Sequence, residues 1–493
     1  MKRLTVQNQR PFETSKVPEL SVPEFESEVG QILSEGSRMM GLFAVEASVD
    51  SKKVLAVLGN DETSQIYLVK CLFTGESMRF NSFANEYPNT NYFECELAEN
   101  SLIVPEGHPW LRPVRKQTVI LGNIPYEFYS MQGDEVHEVA VGPVHAGVIE
   151  PGHFRFQCHG EEIYHLEISL GYQHRGLEKL LLTQDENKRA VLVESIAGDS
   201  VVAHSMAYSL AVEALSRTSV SLRASVIRSV AEELERIAMH LSGLSGIAND
   251  IGFAIGAAAY GRLRTLVINS LLLLCGSRFG RGLVRPGGVM FDLTEKSANK
   301  ITENLIKVQQ DISEINDFMF SSTSVMTRLE ATGKVSLKWA GAIGMVGPAA
   351  RASGIRTDVR SGFPYGAYRY HSIQTVTLDS GDVYARARMR SLEIEESLGY
   401  ILERFVDIPQ GETRSEVNPL MENSGVISLS EGWRGEIMHA ILTGPDGKIK
   451  TYKVKDPSFN NWYGLALSVR NEGISNFPLC NKSFDLSYSG HDL

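Results

Sequence analysis

The chain has 493 residues and a mass of 54.5 kDa, too long for one small core, so more than one domain and a large buried interior are expected. With 43% hydrophobic and 22% charged residues and a mean hydropathy of -0.11, its composition is that of a globular protein, neither disordered nor membrane-spanning. A net charge of -11, from 48 Lys and Arg against 59 Asp and Glu, excludes a surface that tracks phosphates over its whole extent, and no nucleic-acid partner is expected.

In chain order, residues 24 to about 128 alternate helix-like and strand-like segments. An amphipathic stretch from Glu28 to Gly41 is followed by strand-like runs at 54–59, 64–73, 89–97 and 117–122. Two prolines mark Glu106 to Pro113 as a loop. A hairpin pairs FRFQC with EIYHLEISL around a turn near His159 and Gly160. Helical spacing then dominates at 186–216, 222–249, 260–275, 295–329 and 382–405. Within the second of these, Val226, Val230, Leu234, Ile237 and Leu241 form a stripe that predicts a helix bundle. The most apolar stretch, Leu266 to Cys275, is about half the ~20 residues that cross a bilayer and reads as a buried helix. After Gly411 short strands return as GVISL, GEIMHAIL and KTYKV.

Cys71, Cys95, Cys158, Cys275 and Cys480 are too scattered for a structural zinc site or an iron-sulfur cluster. An odd number of them, with no apolar leader in MKRLTVQNQRPFETS, fits free thiols in a reducing compartment. Gly341, Gly344 and Gly347 lack the spacing of a dinucleotide fingerprint and read instead as a tight backbone crossing. Arg285-Pro286-Gly287-Gly288 is a turn signal. Cys158, His159 and His165 sit near a hairpin turn without a second set of ligands, which argues against a metal. Arg386, Arg388 and Arg390 with Glu393, Glu395 and Glu396 form either a solvated helix face or, beside Arg351, Arg356 and Arg360, a polar interior. Three stretches place ionisable groups beside glycines: Gly142 to Arg155, His174 to Lys179, and Trp433 to Glu436. Buried groups of this kind are candidate proton carriers.

The motifs GPVHAGVIEPGHFRF, GYQHRGLEKLL, ELERIAMHLSGLSGIANDIGF, GRGLVRPGGV, GMVGPAARASGIRTDVR, GDVYARARMRSLEIEESLG and RGEIMHAIL run in order from about Val136 onward. In them the chain resembles the large subunit of the membrane-bound, formate-hydrogenlyase-type nickel-iron hydrogenases and the related hydrogenase-like large subunit of complex I. The first region, with EGHPWLRPVRK, is similar to the small peripheral-arm subunit of complex I. The resemblance implies an α+β chain. Residues 1–130 would form a small N-terminal domain, and residues 131–493 a large, mainly helical domain with flanking β-hairpins.

In such hydrogenases two cysteine pairs hold nickel and iron. Here the early pair falls on Ala197 and Ser200 and the late pair on Ser487 and Gly490, so no thiolate stands at any ligand position. Alanine and glycine offer no donor, and a serine hydroxyl is a poor ligand for a thiophilic metal. The resemblance therefore implies no nickel-iron centre and no metal, with iron-sulfur clusters belonging to a partner small subunit. The chain also stops at the late motif, without the extension that some hydrogenases lose on metal insertion. Complex I uses the equivalent cavity for quinone, through a Tyr and a His. Asp199 and Ser200 occupy the Tyr stretch, Pro151 stands roughly at the second loop His, and His145 matches the first. Glu150 and His153 match a hydrogenase Glu-Gly-His motif whose Glu passes protons, with Pro151 inserted. Glu150, His153, Asp199, Ser200, His204 and Arg434, the last at the place of the hydrogenase active-site arginine, are the candidate proton-handling set. His145, Asp199 and Arg351 would meet an acceptor.

The implied role is that of a metal-free large subunit of a complex I-like redox assembly. It would lie peripherally on the cytoplasmic side of the membrane, with an iron-sulfur small subunit, antiporter-like and anchor membrane subunits, and a quinone-like acceptor. The alternative is a non-catalytic scaffold whose polar residues only fill the old cavity. An active hydrogenase with unusual ligands is disfavoured by the donor chemistry.

Overall fold

In the computed structural model, which describes residues 2–47, 50–75, 78–116, 126–145 and 149–493, runs rich in Val, Leu and Phe build the first sheet. Its strands are β1 (Leu4–Val6), β3 (Glu19–Leu20), β4 (Arg38–Ala47), β5 (Ser51–Asn60) and β6 (Gln65–Thr74), after β2 (Phe12–Glu13), which joins a different sheet. The order is β1-β6-β5-β4, with β3 parallel to β6. One face carries Leu42, Val54, Ala56, Leu58 and Val69 against α1 (Val22–Ser34) and α2 (Asn91–Ser101), between which β7 (Arg79–Asn81) pairs with β8 (Val104–Glu106). Met40, Leu55, Val57 and Leu68, on the opposite face, belong to the main core of the molecule. Strand alternation thus serves two cores at once.

The first helix runs over Val22–Ser34, earlier than the expected Glu28 to Gly41, because Ser21 and Glu24 form a capping box and Pro23 lies in its first turn. The strand-like run at 89–97 is also a helix, α2. Its alternating Glu94 and Glu96 do not face solvent. Glu94 accepts from Ser82, Thr90 and the Phe83 amide, and Glu96 pairs with Arg115 and Lys453. The expected strand at 117–122 lies outside the described residues.

The hairpin appears as predicted, with β10 (His153–His159) paired to β11 (Glu162–Ser169) and flanked by β9 (Val136–Val141). The helix expected over 186–216 is two, α4 (Glu186–Val193) and α5 (Val201–Ser216), after α3 (Leu177–Thr183). The intervening turn holds Ala197 and Ser200. α6 (Leu222–Asp250), α7 (Ala254–Cys275), α8 (Glu295–Ser321) and α13 (Val383–Val406) form the bundle. Among the described residues α7 alone is long and apolar enough to cross a membrane. It packs between α6 and α8, burying Leu263, Val267, Leu271 and Leu274. Between these helices run the β12 (Val284–Arg285) and β13 (Gly288–Val289) turn, α9 (Thr323–Leu329), α10 (Leu337–Ala342), α11 (Gly347–Arg351) and α12 (Val359–Gly362). The C-terminal sheet, β14 (Ser424–Gly432), β15 (Gly435–Thr443) and β16 (Ile449–Lys455), takes β2 as its fourth strand. α14 (Pro457–Ser468), α15 (Phe477–Phe484) and α16 (Tyr488–Asp492) close the chain.

The α6 stripe is buried as predicted, but so are the charges on its other face. Glu233 accepts from Arg360 at 3.0 Å, Tyr368 at 2.6 Å and Ser397 at 2.5 Å. Glu393 accepts from Arg351 at 2.6 Å and from His240 at 2.9 Å. Of the Arg386 to Glu396 run, Arg386, Arg390 and Glu393 line this polar interior, while Arg388 and Glu395 pair nearer the surface. Burial pushes all the carboxyls up. The Arg360 and Arg236 charges bring Glu233 below its ordinary range, whereas Glu232, with one oxygen unpartnered, is left raised to about 8.

The Gly341 to Gly347 stretch is a tight crossing and no phosphate loop. At Gly347, whose φ is +68°, a Cβ would lie 2.2 Å from the Arg434 carbonyl oxygen. Gly347→Ala should therefore lower stability by at least about 2 kcal/mol in thermal unfolding. Gly30→Ala in open space on α1 should raise it by up to about 1 kcal/mol. Equal effects at the two sites would contradict the crossing.

Glu232 gives a prediction with a definite sign. Its carboxyl, raised from 4.5 to about 8, binds more protons in the folded than in the unfolded chain between those values. That contribution to stability is complete below about pH 4.5 and is lost as pH rises through about 8. Glu232→Gln should flatten the fall in unfolding free energy over this interval, by up to roughly 1.4 kcal/mol per pH unit. Denaturant titrations at a series of pH values read the slope, and an unchanged slope would contradict the assignment.

Candidate functional site

The turn between α4 and α5, the tip of the β14-β15 hairpin and the α15-α16 region converge on one buried cation. Gly432 and Gly435 pair across the hairpin and leave Trp433 and Arg434 at its tip. The Arg434 guanidinium donates to both Asp199 carboxylate oxygens at 2.7 Å and also to the Asp485 carbonyl. It lies 3.9 Å above the Trp433 ring. Trp433 Nε1 donates to the Asp199 carbonyl at 2.8 Å, so both ends of that residue are held by the hairpin. Arg434 is buried, whereas the Asp199 side chain is 36% exposed. Solvent thus reaches the acid but not the base.

Arg175, from the His174 to Lys179 motif, fastens the same segments from outside. It donates to the carbonyls of Ser195 at 2.6 Å, Ile196 at 3.0 Å and Ser489 at 3.2 Å. Asp492 accepts from the Gly171 and Gln173 amides, both at 2.8 Å. Glu235 of α6 accepts from the Val202 and Ala203 amides at 2.7 and 3.1 Å, placing a carboxyl at the start of α5. Desolvation outweighs those two donors and lifts it to about 8.

Glu150 stands at the rim of this group. The residue is exposed, yet crowding of its carboxyl against the site partly desolvates it and raises its pKa, and the Asp199 charge adds to the rise, against the Arg434 charge and the Tyr488 amide. Glu150, Asp199 and Arg434 therefore form one electrostatic unit, with the buried Ser200 next to it at the start of α5. His145 and His153 are turned to the backbone of their own loop. Their ring nitrogens lie 2.8 Å from the Gly152 carbonyl and 3.2 Å from the Gly142 carbonyl. Ala146 to Val148 of that loop lie outside the described residues.

Arg351 is placed elsewhere. Its donors go to Glu393, Glu431 and the Thr357 carbonyl, within the buried charge network. His204 lies behind the Arg434 layer and faces Asp456 and His439, each at 3.1 Å. Sequence reasoning missed Asp456, His439 and Glu235. For Asp456 a signal existed, because Asp before Pro457 at a strand end marks a helix cap, and its carboxylate does accept from the Ser458 amide at 2.8 Å.

The former ligand positions do not fit a nickel-iron centre. Ala197 and Gly490 carry no donor. The Ser487 hydroxyl accepts from the Gly490 amide at 2.9 Å as the cap of α16. A Cβ at Gly490 would fall 2.6 Å from an Asp456 carboxylate oxygen, so the room a thiolate would need there belongs to a carboxylate. Cys158, His159 and His165 do not converge either, since Cys158 is buried, His159 meets Glu135 at 2.6 Å and His165 packs on Trp110 and Tyr129. Among the described residues no cluster of three or more His, Cys, Asp or Glu could hold a metal ion.

Comparison with known proteins gives the chain its family. The family model of the respiratory-chain NADH dehydrogenase 49 Kd subunit matches residues 250–424. Formate hydrogenlyase subunit 5 of Escherichia coli (strain K12) is 29% identical, over 80% of this chain and 71% of that protein. A subunit of the NADH-quinone oxidoreductase of Chloroherpeton thalassium is 30% identical, over 70% of this chain and 84% of that protein. A subunit of the F(420)H(2) dehydrogenase of Methanosarcina mazei is 31% identical, over 65% of this chain and 84% of that protein. The chain belongs to the family of hydrogenase-like large subunits that complex I-related dehydrogenases share with membrane-bound hydrogenases.

Proposed function

We propose that this chain is the metal-free large subunit of a membrane-associated, complex I-like redox assembly, and that Glu150, Asp199 and Arg434 handle protons where electrons meet an organic acceptor. Electrons would arrive from the iron-sulfur clusters of a partner small subunit. A quinone-like acceptor takes up as many protons as electrons on full reduction, so its site needs acids that solvent can recharge. The observation that carries this reading is the partly exposed Asp199 carboxylate paired to the buried Arg434, with Glu150 raised beside it. Antiporter-like and anchor subunits would hold the assembly on the cytoplasmic side of the membrane and use the released energy for ion movement.

Placement of Asp456 supports the absence of a nickel-iron centre. A thiolate at position 490 and the Asp456 carboxylate would compete for one space. Gly490→Ala should lower the unfolding temperature by several degrees, and the double variant with Asp456→Ala should lose less than the sum of the two single losses, as thermal scans of the single and double variants would read. Losses that simply add would show that the space is not shared.

The functional test uses the intact complex purified with its partners. Elemental analysis should find no stoichiometric nickel, and Asp199→Ala should slow electron transfer to a short-chain quinone at least tenfold with the subunits still assembled. Stoichiometric nickel would overturn the metal-free reading. Unchanged electron transfer in Asp199→Ala would favour the scaffold, in which the fork between Arg434 and Asp199 is only a structural tie.

A further inference from the structure

At the end of α5 away from Asp199, the chain gathers cations around a cavity that the proposed acceptor site does not use. α5 starts at the Ser200 turn and is capped at its other end by Arg217, and its 16 residues carry the chain about 24 Å. There residues 9–11, the end of α5, the start of α6 and the turn at 366–369 surround a cavity of about 570 Å³. Arg10, Arg217 and Arg369 all line it.

The wall holds no free carboxylate to answer them. Among the described residues its one acid is Glu213, whose oxygens are committed to Arg228 at 2.5 and 3.1 Å and to the Gly287 amide at 2.8 Å. Arg10 and Arg217 are exposed, and among the described residues neither guanidinium has a hydrogen-bond or ion-pair partner. Arg369 donates to neutral acceptors, the Pro364 carbonyl at 3.2 Å and the Gln9 side-chain oxygen at 3.0 Å. Crowding partly desolvates it, and the Arg10 charge adds to the fall in its pKa. Elsewhere the chain pairs its guanidiniums closely with carboxylates, as at Arg228, Arg351, Arg360 and Arg434. Three arginines without a carboxylate are an exception in a chain with 59 acids against 48 bases.

Two residues of this wall are held in the left-handed region that glycine adopts most easily, Gln9 at φ +59° and Arg217 at φ +51°. Gln9 accepts from Arg369 and donates to the Leu429 carbonyl at 3.3 Å, so it ties that guanidinium to β14. Arg217 closes α5 at a cap where glycine is the usual residue. Glycine there would strain the backbone less, and what the arginine adds is its charge on the cavity. A neighbouring cavity of about 580 Å³ shares Arg10 and Arg217, but Arg369 lines the first and not the second.

We infer that the cavity lined by Arg10, Arg217 and Arg369 binds a phosphomonoester, an organic molecule ending in a phosphoryl dianion. Near pH 7 that group carries close to two negative charges and about three acceptor oxygens, which three guanidinium forks match. A lone carboxylate brings a single charge and would leave a guanidinium unanswered. Pro11, Leu210, Val220 and Tyr370 give the wall an apolar part, and the volume suits a small organic molecule better than a bare ion. A soluble metabolite and a lipid headgroup present the same phosphoryl chemistry. Binding here does not depend on the proposed redox function, because the cavity stands apart from Asp199 and Arg434.

The test is calorimetric titration of the full chain at low salt, with phenyl phosphate as the probe. One molecule should bind per chain and phenol should not bind. Affinity should fall several-fold as pH drops below about 6, where the dianion takes up a proton, and again as salt rises to about 0.15 M. Arg217→Gly should weaken binding at least about tenfold while the unfolding temperature holds or rises, a split that a purely structural role would not give. Arg369→Gln should weaken it as much, which separates this cavity from its neighbour. Should the source be a lipid, phosphatidylcholine vesicles carrying phosphatidic acid should bind in place of phenyl phosphate, and the same two variants should release them. Binding of neither probe, binding that either variant leaves unchanged, or tighter binding of a hexaglutamate peptide would overturn the inference. None of these outcomes bears on Asp199→Ala in the complex, so the two ideas fail separately.

Discussion

A guanidinium cannot be desolvated without an anion, and the buried Arg434 sets the terms for the segments around it. Its fork to Asp199 joins residues 235 positions apart, and its bond to the Asp485 carbonyl brings in the C-terminal region. The Trp433 ring beneath the guanidinium fixes the hairpin tip that carries it. Gly347 then has to pass against the Arg434 carbonyl, where no side chain fits. One buried charge thereby accounts for the loop after α4, the conformation of a hairpin and a glycine on a third segment.

The charged face of α6 follows the same rule on a larger scale. Glu233 and Glu393 each have paired arginines and stay below their ordinary range, whereas at Glu232 and Glu235 desolvation outweighs the more distant Arg236 charge and raises both to about 8. Neighbouring acids pushed in opposite directions divide the interior into fixed charges that hold the helices and acids whose proton burial favours. Arg351 belongs to the first kind. Its guanidinium is spent on Glu393 and Glu431, which takes it out of the proposed acceptor site.

Much of this was legible in the chain. The α6 stripe, the hairpin at 153–169 and the three C-terminal strands were readable because burial follows their local period. Ala197, Ser200, Ser487 and Gly490 could be located from motif order alone. What escaped was set by partners far away in sequence. The Glu94 and Glu96 alternation looked like a strand with one wet face until Ser82, Thr90, Arg115 and Lys453 satisfied those acids inside a helix. The turn at 194–200 interrupts a continuous apolar pattern because Arg175 and Trp433 bind its carbonyls and Glu235 takes the first amides of α5 after it. A boundary near residue 130 marks a real change of texture, yet β2 pairs with β14 and the first sheet shares the main core, so packing crosses it.

His439 and Asp456 were invisible for a more instructive reason. A histidine in an apolar strand and an Asp before a proline each have an ordinary explanation, and only their alignment with His204 gives them another. The physical requirement behind that alignment is charge. With no thiolate at 197, 200, 487 and 490, the carboxylates of Asp199, Asp485 and Asp456 carry the negative charge that faces Arg434. Asp456 answers Arg434 on one side and meets the His204 ring on the other, so the charge balance of one buried cation also fixes the histidine row behind it.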